Sequence, residues 1–221
     1  MLIDTRELFK EIQNASDLDK SRKMSAYMKG HFPFLGIPTP NRRKICKQFF
    51  SDVRHIKTID WCFIDKCWDH AEREYQYIAL DYLVKKKCYL NLHDIPKLQV
   101  LALSKSWWDT IDTLDQLIGD MGLMYLEIDD LMLEWSMDEN FWLRRIAINH
   151  QLLRKEKTNT NLLHSILVNN LNQKEFFINK AIGWSLRSYS KTEPNWVRNF
   201  IVEYKYGLSP LSIREGSKYI S

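Results

Sequence analysis

The sequence predicts an all-α fold, a superhelical solenoid of stacked antiparallel helical pairs like those of HEAT and armadillo repeats. Three observations predict it. The chain of 221 residues contains only 7 glycines and 6 prolines, too few for the frequent turns of a strand-rich fold. Apolar residues recur at helical spacing, and no segment alternates as a strand does. With 45% hydrophobic residues the chain can bury one sizeable core, so we expect a single HEAT-like domain over residues 1–221.

Thirteen helices are expected in chain order, because short polar or proline-containing turns separate the amphipathic segments. The turns GIPTP (36–40) and KTEP (191–194) place a proline where a new helix begins. Helical pairs of this size recur about every 40 residues in HEAT and armadillo arrays. The predicted helices span residues 4–14, 18–30, 39–51, 58–68, 71–87, 93–104, 108–118, 122–136, 140–154, 159–169, 174–190, 194–204 and 210–220.

The segment KSWWDTID (105–112) contains the first candidate functional residues. On a helix that includes residues 106–118, one apolar stripe is predicted to pack in the core: Trp107, Ile111, Leu114 and Ile118. Trp108, Asp112 and Asp115 share the adjacent stripe. A large aromatic side chain beside two carboxylates indicates a functional surface, although a half-buried Trp108 at a helix junction would give the same pattern.

A second tryptophan, Trp184, shares a helix face with three cations, Lys180, Arg187 and Lys191. This pattern is typical of a nucleic-acid surface, where cations contact phosphates and an aromatic plane contacts a base or sugar. The alternative is a surface tryptophan covered by the aliphatic stems of lysines.

Arg145 lies on an otherwise apolar stripe, so it either sits at a helix–helix rim or reaches across an inner wall to an anion. Trp108 precedes Arg145 by 37 residues, and Arg145 precedes Trp184 by 39 residues. In a repeat of that period the three residues lie on equivalent helices and line one concave surface. The sequence therefore predicts that they form one site.

Charge and composition narrow the classes of function. Every charged residue from Ser106 to Leu143 is acidic, whereas Lys and Arg outnumber Asp and Glu from Gln173 onward, as expected if one face holds a polyanion.

There is no Walker loop, GxGxxG motif or zinc-like Cys/His spacing, so we expect neither metal nor nucleotide cofactor. The 4 cysteines are predicted to be reduced thiols. Without a long apolar stretch or signal peptide, a cytoplasmic monomer with no membrane contact is expected.

A site with a single carboxylate, Asp112, suits a reaction that needs only one anion. Cleavage of the glycosidic bond of a cationic, alkylated purine is such a reaction, because the base already leaves well. The carboxylate would stabilise the oxocarbenium-like sugar and position water. Trp108 and Trp184 would stack on the nucleotide, and Arg145 would hold a phosphate.

Long and unusual segments of the chain resemble the DNA alkylation repair family, the AlkD-like DNA glycosylases built from HEAT-like repeats. These segments are YMKGHFPFLGIPTPNRR (27–43), AEREYQYIALDYL (71–83), KSWWDTID (105–112), WLRRIAI (142–148), KEFFINKAIGW (174–184) and PLSIREGSKYI (210–220). The resemblance implies excision of N3- and N7-alkylated purines, such as 3-methyladenine and 7-methylguanine, from duplex DNA. It implies a catalytic role for Asp112, a role beside the scissile nucleotide for Arg145, and groove positions for Trp108 and Trp184. The family's DNA-binding tyrosine of the N-terminal helical pair corresponds to Tyr27. It also implies an open groove in which the damaged base need not be captured.

Two further motifs carry charge near helix starts. In TPNRRK (39–44), Arg42, Arg43 and Lys44 are predicted to contact phosphate, although a solvated basic face is the alternative. In EREYQ (72–76), an ordinary salt-bridged helix start with an exposed Arg73 is expected.

The competing functions are a non-catalytic HEAT-like module that binds damaged or structured DNA, and a scaffold whose concave face binds a peptide.

Overall fold

The computed structural model describes residues 4–220, which contain thirteen α-helices, four short 3₁₀ helices and no strand. The all-α prediction is confirmed, and each predicted helix has an observed counterpart. The helices are α1 (Arg6–Asn14), α2 (Leu18–Tyr27), α3 (Thr39–Asp52), α4 (Trp61–Asp69), α5 (Arg73–Lys86), α6 (Ile95–Leu103), α7 (Trp108–Met121), α8 (Glu127–Trp135), α9 (Phe141–Asn149), α10 (Thr160–Asn169), α11 (Phe176–Tyr189), α12 (Pro194–Glu203) and α13 (Pro210–Gly216).

Several helices end earlier than predicted, and the backbone explains where. Helix α2 ends at Tyr27 because Lys29 and Gly30 follow with φ of 54° and 73°. Helix α9 ends at Asn149, and Leu153 adopts φ of 65° soon after. Left-handed residues of this kind terminate helices, and residues other than glycine adopt the conformation too rarely for a sequence pattern to show it.

The chain divides into two compact units, Met1–Leu90 and Asn91–Ser221. The single HEAT-like domain over residues 1–221 stays a prediction. In the first unit, α3 packs against α1 and α5, and α4 packs against α5. Its core includes the fully buried side chains of Ile12, Phe63, Ile64, Ile78 and Leu83.

Helix α5 anchors the segment before α3 through two buried charged residues. The carboxylate of Glu74 accepts hydrogen bonds from the backbone N–H groups of Leu35, Gly36 and Ile37, at 2.9, 2.9 and 3.0 Å. The guanidinium carbon of Arg73 lies 3.8 Å from the centroid of the Phe32 ring, and the residue is fully buried. The expectation of an exposed Arg73 is therefore wrong, because the chain N-terminal to α3 folds over the start of α5.

In the second unit, one series of helices packs in consecutive order: α7 on α9, α9 on α11, and α11 on α13. Helices α8 and α10 pack on each other and on α9, and α12 packs on α11 and α13. The close approach of α11 to α13 depends on Gly183, where an added Cβ would lie 2.7 Å from Cβ of Glu215. Because α7, α9 and α11 are successive neighbours, residues at matching positions on them meet.

Among residues 4–220, no helix is long and apolar enough to cross a membrane. All four cysteines are free thiols, as predicted. Cys46 and Cys67 are buried, whereas Cys62 and Cys88 are exposed.

Candidate active site

Asp112 lies one turn into α7 and is joined to α9 by an ion pair. The guanidinium of Arg145 donates two hydrogen bonds to the same carboxylate oxygen, Oδ1, from Nη2 at 2.6 Å and from Nε at 3.1 Å. The other oxygen, Oδ2, accepts no hydrogen bond from the described part of the chain. The Asp112 side chain is 24% exposed. The site therefore presents a half-buried carboxylate with one oxygen available to a substrate or a water.

Arg145 is held on three sides. Its side chain is 1% exposed, and Nη1 donates a hydrogen bond of 2.8 Å to the backbone carbonyl of Phe177 on α11. The guanidinium carbon lies 5.4 Å from the Trp184 ring centroid and 5.9 Å from the Phe177 ring centroid. The sequence left open a rim position or an inner-wall position for Arg145, and the structure places it inside, bound to Asp112.

Burial and the ion pair act on the pKa of Asp112 in opposite directions. Desolvation by burial is the larger effect and raises the pKa of the carboxyl, while the charge and hydrogen bonds of Arg145 lower it. The ionised form that would stabilise a cationic sugar therefore requires a higher pH than for an ordinary aspartate.

Asp115 was predicted to share the polar face of α7 with Trp108 and Asp112, and this prediction is wrong. Its side chain is buried, and Oδ2 accepts a hydrogen bond of 3.0 Å from Nδ2 of Asn149 on α9. Burial, reinforced by the negative charge of Asp112, raises its pKa well above the ordinary value. Asp115 thus belongs to the α7–α9 contact and leaves Asp112 as the accessible carboxylate.

Trp107 and Trp108 are both half-buried, so Trp107 is not the core residue that the apolar stripe predicted. Trp107 is the N-cap of α7, with extended backbone angles, and therefore does not follow the helical periodicity. Its ring packs 5.9 Å from that of Trp142 and 5.1 Å from that of Phe177, both edge-on. The other stripe residues, Ile111, Leu114 and Ile118, are fully buried as predicted.

The sequence reasoning missed this aromatic cluster, which joins the N-terminal ends of α7, α9 and α11. Phe141 packs on Trp142 at 4.5 Å, and Trp142 packs on Phe177 at 4.8 Å. A signal was present, because two adjacent aromatic residues recur where each helix begins, in WW (107–108), FW (141–142) and FF (176–177). The cluster aligns the three helices and so sets the positions of Asp112, Arg145 and Trp184.

The three cations predicted around Trp184 have different neighbours: Lys180 and Arg187 contact a carboxylate, whereas Lys191 contacts an aromatic ring. The ammonium of Lys180 lies 5.5 Å from the Trp184 ring centroid and 2.7 Å from Oε1 of Glu215. Arg187 also contacts Glu215, at 3.0 Å, and the hydrogen bond from Lys180 is the main cause that lowers the pKa of Glu215. Lys191 is exposed, and its ammonium lies 4.8 Å from the Tyr219 ring centroid. Of these three cations, Lys191 alone is exposed without an ion pair to a carboxylate in the described part of the chain.

The remaining predicted contact residues lie in the first unit. Tyr27 is 71% exposed at the end of α2, and the side chain of Arg43 is 65% exposed. Arg42 is buried, where it forms an ion pair with Asp81 at 3.1 Å and packs over the Tyr77 ring. The predicted phosphate contact of Arg42 is wrong for this conformation, because its side chain faces α5. Within residues 4–220, no group of His, Cys, Asp and Glu side chains could hold a metal ion.

Comparison with known proteins identifies related chains. Residues 8–220 match the sequence model of a family described as DNA alkylation repair enzyme. A solved structure, described as a predicted DNA alkylation repair enzyme from Enterococcus faecalis, is 39% identical, with a TM-score of 0.86. That match covers 93% of this chain and 97% of the other. No curated protein matches the chain.

Proposed function

This chain belongs to the family of DNA alkylation repair enzymes, and from that premise we propose that it is a DNA glycosylase. It would excise positively charged N3- and N7-alkylated purines, such as 3-methyladenine and 7-methylguanine, from duplex DNA in base excision repair. The observation that carries this proposal is the half-buried carboxylate of Asp112, whose Oδ2 accepts no hydrogen bond from the described residues while Arg145 holds Oδ1.

The proposed mechanism needs one negative charge at the sugar. An alkylated purine that is already cationic leaves without a general acid, and positive charge then develops on the deoxyribose. Oδ2 of Asp112 would stabilise that charge and position the attacking water. One such electrostatic contact contributes ~3 kcal/mol, about two decades in rate.

Arg145 supports this role because its hydrogen bonds orient the carboxylate before a substrate arrives. All of its nitrogens donate within the protein, to Asp112 and to the Phe177 carbonyl. The Arg145 side chain is 1% exposed, so a direct grip on phosphate, as predicted from the sequence, would require this buried guanidinium to become accessible. We therefore assign Arg145 to positioning of Asp112 in the unbound enzyme.

Trp108 and Trp184 are proposed to hold the damaged nucleotide by stacking, at ~1–3 kcal/mol for each contact. Both are half-buried, so each has a ring surface left for a ligand. An open groove that contacts the backbone of the lesion is the binding mode that family resemblance implies. A cationic base that leaves readily requires little recognition of its edge, which agrees with that mode.

The HEAT-like solenoid is part of the same proposal. Within residues 91–221, the consecutive packing of α7, α9, α11 and α13 supports it. So does the spacing of 37 and 39 residues between Trp108, Arg145 and Trp184, which is the period of a helical-pair repeat.

The decisive experiment compares the wild-type protein with Asp112→Asn on DNA methylated at purine nitrogens, and measures the bases released. We expect the variant to lose release of 7-methylguanine while it still binds the duplex, because asparagine keeps the shape but not the charge. Some loss of stability is also expected, since Arg145 is buried and would lose its counter-ion. A thermal melt checks that the variant is folded at the assay temperature.

The matched control is Asp130→Asn, which removes the same charge from an exposed position on α8. It should release methylated bases at the wild-type rate. Equal activity of Asp112→Asn and wild type would remove Asp112 from the reaction. Wild-type protein that binds DNA but releases no base would instead indicate a non-catalytic DNA-binding module.

A further inference from the structure

A cavity of about 760 Å³ lies in the first unit, between α3 and α5. We call it the α3–α5 groove. Its charged lining residues are Arg43, Lys47, Arg54, Asp81, Lys85 and Lys86. Neither the proposed chemistry at Asp112 nor the contacts of Tyr27 account for it.

The groove carries a large excess of positive charge. Five of its lining residues are lysine or arginine, and one, Asp81, is acidic. Asp81 is already contacted by Arg42 at 3.1 Å and by Arg43 at 3.4 Å. Lys47, Arg54 and Lys85 are exposed, and within the described chain none of them forms an ion pair with a carboxylate. The charge at the mouth of the groove is therefore available to an anion from outside.

Lys86 offsets the partial negative charge at the C-terminal end of α3, which would otherwise repel an anion in the groove. The C-terminal end of a helix carries partial negative charge on its free carbonyls, and the groove opens beside the end of α3. The buried ammonium of Lys86 donates to the carbonyls of Val53 at 2.8 Å and Arg54 at 3.3 Å, and also to that of Ile56. The buried positive charge of Lys86 therefore offsets the negative end of the α3 dipole.

The shape of the charged surface favours an extended anion over a single phosphate. Arg43, Lys47 and Ser51 follow one another at intervals of four residues, which places them on one face of α3, and Arg54 follows two residues after the helix ends at Asp52. Successive members are ~5–6 Å apart along the helix axis. Apolar surface lies beside this row, where Val84 is 45% exposed and Tyr89 is half-buried. A row of cations beside apolar surface suits a strand that alternates phosphate and sugar.

We infer that the α3–α5 groove binds the sugar–phosphate backbone of DNA through Lys47, Arg54 and Lys85. This inference rests on the proposed function, because it takes duplex DNA as the ligand. It adds a second contact region, in the first unit, to the residues around Asp112. Such contacts fix position and contribute affinity without reading sequence.

The first test is the salt dependence of binding to an undamaged DNA duplex by Lys47→Gln/Lys85→Gln. Each lost phosphate contact lowers the slope of log Kobs against log [salt] by ~0.9. We therefore expect the slope to fall by about 2, and the affinity to fall at least tenfold near 0.1 M salt. Lys10→Gln/Lys66→Gln removes the same charge from exposed lysines on α1 and α4 that do not line the groove. That control should keep the wild-type slope to within about half a unit.

The second test uses two exposed native thiols. Cys88 lines the groove, whereas Cys62 on α4 does not. Duplex DNA should slow the reaction of Cys88 with a bulky maleimide several-fold and leave Cys62 unaffected, with peptide mass spectrometry to separate the two sites. Millimolar phosphate and ATP, tested in place of DNA, report whether a small anion suffices.

The outcomes separate this inference from the proposed function. Unchanged slope in Lys47→Gln/Lys85→Gln together with unprotected Cys88, while the wild type still binds DNA, overturns the groove and leaves the Asp112 proposal intact. Protection by ATP but not by DNA also overturns it, in favour of a small-anion site. A wild-type protein without salt-dependent DNA binding overturns both. Lys47→Arg/Lys85→Arg should restore the wild-type slope, because arginine keeps the charge.

Discussion

Two aspartates on α7, three residues apart, show how environment separates chemical roles. Asp112 is half-exposed and paired with Arg145, whereas Asp115 is buried and accepts a hydrogen bond from Asn149. Burial raises the pKa of both carboxyls, and raises that of Asp115 further because Asp112 is close. As the pH falls, Asp115 should therefore bind a proton more readily than Asp112 does.

The two neighbouring tryptophans should respond differently to truncation. Trp107 contacts Trp142 and Phe177, so Trp107→Ala is expected to lower the free energy of unfolding by ~2–3 kcal/mol, below the ~3–5 kcal/mol of a fully buried ring. Trp108→Ala should lower the free energy of unfolding less than Trp107→Ala does, and should reduce base release more. Urea unfolding and the base-release assay measure the two quantities. Equal loss of stability in both variants would show that the roles are not divided in this way.

Residue patterns predicted part of the site. The spacing of whole repeats predicted that Trp108, Arg145 and Trp184 line one surface. In the structure, Arg145 contacts Trp184 and also Asp112, which lies one turn after Trp108. The burial of Arg42 and Arg73 could not be predicted. Their partners, Asp81 with Tyr77 and Phe32, lie on other elements, so the pattern of their own helix holds no information about them.

At the scale of elements, the junction between α2 and α3 depends on a side chain of α5. Glu74 accepts three backbone hydrogen bonds there, and Gly36 adopts φ of 88°, a conformation that favours glycine. Hydrogen bonds to a buried carboxylate are stronger than those to a neutral group. The entry to α3, and with it the α3–α5 groove, is therefore stabilised from within the first unit.

Glu74→Ala should be strongly destabilising, since it leaves three buried N–H groups without an acceptor. At ~1–3 kcal/mol for each unsatisfied group, we expect a loss of at least ~3 kcal/mol in urea unfolding. Amide hydrogen exchange should accelerate at Leu35, Gly36 and Ile37. Glu72→Ala, at the more exposed N-cap of the same helix, should change stability by ~0.5 kcal/mol or less. Slow exchange retained at the three amides of Glu74→Ala would refute this anchor.

Helix number and order were predictable because apolar periodicity and proline placement are local signals. Helix ends were less predictable, since they depended on left-handed residues such as Lys29 and Leu153. The packing order of α7, α9 and α11 followed from repeat length, but the aromatic cluster that aligns them involves Trp107, which lies outside the helical pattern.

For the whole molecule, the pH dependence of stability should reflect two buried groups of opposite effect. Burial lowers the pKa of His150 to about 3, so the folded protein holds this histidine neutral while the unfolded chain protonates it near 6.5. Above pH 6.5 His150 does not destabilise the fold. Below that pH it lowers the free energy of unfolding by ~1.4 kcal/mol for each pH unit, down to about pH 3. Asp115, with a raised pKa, contributes stability at low pH that is lost as pH rises through its folded value.

The variant His150→Gln separates the contribution of this histidine to the pH dependence of stability from that of the other groups. Between pH 7 and pH 5.5, the free energy of unfolding of His150→Gln should fall by ~1–1.5 kcal/mol less than that of the wild type, whatever its absolute stability. Urea unfolding followed by tryptophan fluorescence at both pH values gives this difference. Parallel pH profiles for the two proteins would show that His150 titrates normally in the fold.

The division into two units was not predictable from the sequence, because no glycine, proline or low-complexity linker marks the boundary near Leu90. The boundary falls in the short turn predicted between the helices at 71–87 and 93–104, which is no longer than several of the other predicted turns. Composition could bound the size of the core, but it could not show how that core is partitioned.

The ion pair between Asp112 and Arg145 also restricts which changes of chain length the second unit tolerates. One inserted residue turns every later side chain of a helix by about 100°, so an insertion between Trp108 and Asp112 would swing the carboxylate away from α9. A buried guanidinium would then face apolar surface, and both folding and chemistry would fail together. Insertions and deletions should accordingly accumulate in the turns between helices, where the angular phase of α7 and α9 is preserved.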